Sequence, residues 1–179
     1  MRNQSIFLVL GLVAGSASFA SEVGDISESE SVALERRVKT KNLKFVGFGP
    51  GAITGLGASG YSYHLQGGWW REAHPNAAIR IFSDLDFRPE WDAWKASAGI
   101  GAVWLPSRGL ASPFVGFDFG WGIADGEEAA SGFALGTSIG LQLFRTATTQ
   151  LSLEGRSSLL LERAVGIPWT NSFALSVHF

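Results

Sequence analysis

The chain has 179 residues, no cysteine and a formal net charge of −2, which excludes a disulfide scaffold and a thiol nucleophile and leaves no basic footprint for nucleic acid. Hydrophobic residues make up 46% and charged residues 17%, against the roughly one-quarter charged residues of an ordinary soluble domain. The 23 glycines follow no collagen period, so they have to be explained position by position.

At the N-terminus, Arg2 precedes an apolar run over 6–14 and then Ser18-Phe19-Ala20, a small-x-small site. This is the pattern of a secretory signal peptide over 1–20, cleaved after Ala20. The run is short for a spanning helix, and no later window supplies the ~18 uncharged residues that one needs. Any membrane crossing therefore falls to strands. Residues 21–42 form a polar extension rich in Glu, Arg and Lys, from Glu22 and Asp25 to Lys39 and Lys41. Ser27 with Glu30 offers a weak capping box, and the segment reads as a periplasmic tail or as a plug.

From Leu43 to Phe179 the sequence predicts eight strands, near 43–49, 59–70, 77–88, 91–105, 112–122, 130–144, 149–162 and 167–179. Turn signals separate them: Pro50-Gly51, His74-Pro75-Asn76, Arg88-Pro89-Glu90, Pro106 to Gly109, Asp125-Gly126, Thr146-Ala147-Thr148 and Gly166-Ile167-Pro168. Alternation is sustained. In the fifth strand Val115, Phe117, Phe119 and Trp121 oppose Gly116, Asp118, Gly120 and Gly122, and in the seventh Leu151, Leu153, Leu159 and Leu161 oppose Ser152, Glu154, Arg156 and Ser158. A water-soluble sandwich obeys the same arithmetic with its large residues inside, so alternation alone does not separate the two.

Aromatic spacing separates them. Trp94 and Trp104 share one face of the fourth strand, and Trp169 and Phe179 share one face of the eighth, each pair ten residues apart. Ten residues at ~3.3 Å, tilted by ~40°, project to about 25 Å, the height of the apolar band of an outer-membrane barrel. With Tyr61, Trp69 and Trp121, these rings make two interfacial girdles. The opposite parity carries Arg80, Asp84, Lys95, Asp118, Gln142, Glu154 and Arg156, with His64 and several serines. In an eight-stranded barrel these face an interior just wide enough for side chains. Buried charges have to be paired, so an internal salt-bridge and hydrogen-bond network is expected, with lumen glycines making room for it.

The last strand sets Trp169, Phe173, Leu175, Val177 and the C-terminal Phe179 on the oily face. With the signal peptide and the eight amphipathic strands, it resembles the small outer-membrane β-barrel superfamily that includes the OmpA transmembrane domain and the OmpX-like proteins. The resemblance covers about 43–179. It implies an all-β, eight-stranded antiparallel up-and-down transmembrane barrel in the outer membrane, contacting outer-membrane lipid. It also implies that Phe173, Leu175, Val177 and Phe179 form an assembly signal read by the barrel-insertion machinery. The expected loops are short, so the long-loop adhesive roles of the superfamily are not carried over.

Some small barrels modify lipid A, which requires a serine beside a base near the outer leaflet. Here Ser176 and His178 share the lumen parity at the periplasmic end, away from such a substrate. No spacing resembles a zinc site, and Gly47-Phe48-Gly49-Pro50-Gly51 lacks the helix and the Pro50 N–H that a phosphate loop needs. The expectation is a monomeric barrel with a structural or interaction role, no cofactor, no metal and no catalysis. The alternatives are a lipid A-modifying enzyme, a narrow channel and a soluble periplasmic lipid-binding barrel.

Overall fold

The computed structural model describes residues 41–179 except 56–58, 91, 108, 128, 146 and 162–166; the expected signal peptide and nearly all of the expected polar extension lie outside the described residues. Eight antiparallel strands, β1 (Lys41–Thr54), β2 (Gly60–His74), β3 (Ala77–Phe87), β4 (Trp94–Trp104), β5 (Ala111–Asp125), β6 (Ala130–Leu143), β7 (Gln150–Leu161) and β8 (Trp169–His178), pair in chain order. β8 returns to β1, which closes the barrel and leaves no edge. An even strand number brings the start of β1 and the end of β8 to one side, together with the β2–β3, β4–β5 and β6–β7 turns; we call this the terminal end.

The register fixes the slant. Lys44 and Phe179 exchange both backbone hydrogen bonds, Lys44 pairs with Trp69, Trp69 with Ile81 and Ile81 with Ile100. Continuing through Phe119, Leu135 and Leu159, this row re-enters β8 at Trp169, ten residues before Phe179. A stagger of ten over eight strands tilts each strand by about 40° and leaves an interior that side chains fill.

Every strand alternates inside and outside, and the sense of the alternation excludes the soluble sandwich. On β4, Ile100 is 60% exposed while Lys95 is fully enclosed at 0%. The large apolar residues form a continuous outward belt and the charges lie within, the reverse of a protein packed for water. The interior is layered. Near the terminal end Leu43, Phe45, Trp70, Leu105 and Phe114 belong to an apolar cluster, and toward the opposite end Ile53, Ala124 and Leu160 belong to a second one. Polar and charged groups fill the length between them.

Several boundaries differ from expectation. β1 starts at Lys41 and runs through Pro50-Gly51, expected as a turn. Pro50 fits a strand because the β1–β8 ladder has no pairs at Gly49 and Pro50 and resumes at Gly51 opposite Ser172, so its missing N–H leaves no bond unmade. β2 continues to His74, with an irregularity between Glu72 and His74, and reverses through Pro75-Asn76. β6 stops at Leu143 because Phe144 has φ of 57°, a left-handed conformation that ends the strand and redirects the chain.

Two glycines are required by close approach. Gly99 and Gly120 are register partners, and a Cβ on either would strike the other strand's carbonyl and Cα atoms. G99V or G120V is therefore expected to push β4 from β5 and cost at least about 1–3 kcal/mol. G155A, whose Cβ would meet only the Ile139 carbonyl oxygen at 3.8 Å, is expected to be tolerated. Urea titration of the folded fraction, read by gel mobility without heating, checks both.

Candidate functional site

The alternation of β3, β5 and β7 aims Arg80, Asp118, Glu154 and Arg156 at one another across the lumen. Arg80 donates from Nε to Asp118 Oδ1 (2.7 Å), from Nη2 to Asp118 Oδ2 (2.5 Å) and to Ser138 Oγ (3.0 Å), and from Nη1 to Glu154 Oε1 (2.6 Å). This bidentate grip is the strongest pairing available to a carboxylate. Asp118 also meets Arg156 Nη2 at 3.3 Å, and the same nitrogen lies 2.8 Å from Asp84 Oδ2. The Arg156 guanidinium sits 4.3 Å from the centroid of Phe82, an inward aromatic that takes up its face. Gly101 and Gly116 line this cluster because a Cβ at the first would strike Asp118 and at the second Ser138.

Around this centre lie smaller groups. Ser97 donates to Asp84, and Gln66 Nε2 donates to Ser176 Oγ (2.8 Å) and Glu154 Oε2 (3.4 Å). His64 Nδ1 lies 2.8 Å from Asp86 Oδ1. Lys95 stands apart from the arginines and donates to the Ser158 hydroxyl and to Thr170 Oγ1 (2.9 Å). Among the buried side chains here, Arg80, Lys95 and Arg156 face Asp84, Asp86, Asp118 and Glu154, so both signs are interleaved along the lumen.

A separate lock closes the terminal end. Arg145 lies 3.3–3.4 Å from the Glu72 carboxylate and donates to the carbonyls of Pro75 (2.6 Å) and Ser107 (2.7 Å). Its own carbonyl accepts from Lys41 Nζ (2.6 Å) and Gln150 Nε2 (2.9 Å). One side chain thus ties all three turns of that end together. Gln142 bonds Gln150 here. His178 packs against Phe45 and Trp70, its Nε2 2.9 Å from Ser152 Oγ.

All seven expected lumen residues are buried. The structure brings Arg80, Asp84, Asp118, Glu154 and Arg156 into one cluster and leaves Lys95 and Gln142 outside it. Tyr61, Trp69, Trp104, Trp121 and Trp169 are exposed on the outward face, whereas Trp94 is half-buried. Phe173, Leu175 and Val177 project outward from β8, and Phe179 follows it, paired with Lys44. Ser176 and His178, neighbours in sequence, take different partners, Gln66 and Ser152. Sequence reasoning missed Arg145, which lies beyond a strand end where parity carries no information. It also missed the inward aromatics Phe45, Trp70, Phe82 and Phe114, although their parity was readable. Among the described residues no group of three or more His, Asp or Glu is placed to hold a metal ion.

A closed eight-stranded antiparallel barrel with apolar residues outside and paired charges inside has the fold of the small outer-membrane barrels, OmpA- and OmpX-like. Solved structures with this fold include Neisserial surface protein A, with a TM-score of 0.67 at 12% identity over 78% of this chain and 97% of that one. The N-terminal β-barrel domain of Pseudomonas aeruginosa OprF follows with a TM-score of 0.56 at 9% identity, over 79% of this chain and 100% of that one. Ail, the attachment invasion locus protein of Yersinia pestis, aligns with a TM-score of 0.51 at 13% identity, also over 79% and 100%. By sequence, no family model and no curated protein matches the chain.

Replacing Arg80 removes the ion-pair partner of Glu154 and the bidentate partner of Asp118, which keeps only its 3.3 Å contact with Arg156. R80M is expected to cost about 3–5 kcal/mol, the range for breaking a buried pair by removing one partner. The shift in urea midpoint of the folded fraction in lipid measures it.

Proposed function

We propose that this chain is an integral protein of a bacterial outer membrane, a monomer with a structural or interaction role and no catalysis. The observation that carries the reading is the inverted packing: an outward belt of large apolar residues, bounded by aromatic rings, around an interior of paired charges. In water such a belt would drive association, whereas in a bilayer it is the surface that lipid requires. On this reading Ala20 ends a cleaved signal peptide, outer-membrane lipid is the principal contact, and Phe173, Leu175, Val177 and Phe179 present the assembly signal to the insertion machinery. The terminal end then faces the periplasm.

The lumen supports a filled rather than a conducting barrel, because Arg80, Asp118, Glu154 and Arg156 occupy it and bond to one another. A catalytic reading meets an obstacle at its best candidate, since Ser152 and His178 touch beneath Phe45 and Trp70 and both are enclosed.

Cell fractionation with gel mobility tests the proposal. The protein is expected in the outer-membrane fraction, running faster unheated than boiled, as a closed detergent-resistant barrel does. Release by osmotic shock, with no difference between the two samples, would sink it.

A further inference from the structure

Asn42 and Lys44 on β1 pair with Arg71 and Trp69 on β2, and all four side chains are exposed on the outward face at the terminal end. They form a two-by-two block in which Lys44 and Arg71 are diagonal neighbours with Cβ atoms about 7 Å apart. Every member carries N–H donors: a carboxamide, an ammonium, a guanidinium and an indole. Neither cation has an ion-pair partner among the described residues. The main-chain oxygen of Phe179 accepts from the Lys44 backbone N–H at 2.7 Å rather than from its ammonium.

The distribution of acids makes this block distinctive. Among the described residues, Glu72 is turned inward to Arg145, and Asp84, Asp86, Asp118 and Glu154 are in the lumen. The exposed acids Glu90, Asp92, Asp125 and Glu127 sit at the turns of the opposite end. Among the described residues no carboxylate side chain therefore competes for the two cations, and toward the belt the block is continuous with exposed Val46, Ile79 and Ile81.

We propose that Asn42, Lys44, Trp69 and Arg71 form a headgroup site for an anionic glycerophospholipid, with the phosphate between Lys44 and Arg71 and an acyl chain along Val46 and Ile81. Two cations beside an indole at the edge of an apolar belt match a phosphodiester whose tails continue into hydrocarbon. The choice of a glycerophospholipid rests on the reading that the terminal end faces the periplasmic leaflet.

Native mass spectrometry of the full barrel, extracted in detergent and offered phosphatidylglycerol or phosphatidylcholine with identical acyl chains, tests the site. The wild-type protein is expected to retain the anionic lipid roughly thirtyfold more than the zwitterionic one, as two interfacial cations predict. K44Q/R71Q is expected to abolish that preference and K44R/R71K to keep it, with unheated gel mobility showing that both variants are folded. Equal retention of the two lipids by the wild type, or an undiminished preference in folded K44Q/R71Q, overturns the proposal. Lipid preference is measured on purified barrel, so its failure is distinct from a failure of the outer-membrane reading, which fractionation reports.

Discussion

Asp118 accepts from Arg80 and is approached by Arg156, and the interior is organised around this shared carboxylate. A charge inside a narrow barrel has no bulk water to return to, so each must find an opposite partner at hydrogen-bonding distance or destabilise the fold. Asp118 meets that condition for two arginines at once, while Glu154 pairs with Arg80 and Asp84 with Arg156. The glycines at 101 and 116 are consequences of the same cluster, since any side chain there would displace a member of it. The polar core is thus a set of mutually dependent contacts, and changes at its members are not expected to add independently.

The two ends of the lumen are closed by different means. At the terminal end an aromatic layer that includes Trp70 and Phe114 packs edge to face, and Arg145 lies beyond it, gripping carbonyls from the neighbouring turns. At the opposite end the closure is made of small aliphatic groups with Ile53 and Leu160. The terminal closure is bonded to the turns themselves through Arg145, whereas the cluster toward the opposite end is apolar.

Much of this architecture was legible because a strand reveals its orientation through a period of two. Once Phe117 and Phe119 are assigned to one face, Asp118 must occupy the other, and the same logic places Arg80, Glu154 and Arg156. Parity does not reveal which inward groups meet, because that depends on the stagger between strands, which no single strand encodes. Hence parity groups Lys95 and Gln142 with the arginines, whereas they bond instead to Ser158 and Gln150. Pro50 misleads for a different reason: a proline marks a turn only when its missing donor would break a ladder, and the ladder beside it is already open. Arg145 was invisible because the left-handed Phe144 redirects the chain just before it.

The alternation that builds the belt has a consequence before any barrel exists. Spread along the linear chain, the oily residues are interrupted at short intervals by small or polar ones, so no stretch of the barrel is greasy enough to be held as a spanning helix by an export channel. The continuous apolar surface belongs to the folded barrel and not to any one stretch of the chain. A polypeptide built this way presents no spanning helix before its strands pair, and its large apolar residues gather into one continuous surface only as the barrel closes.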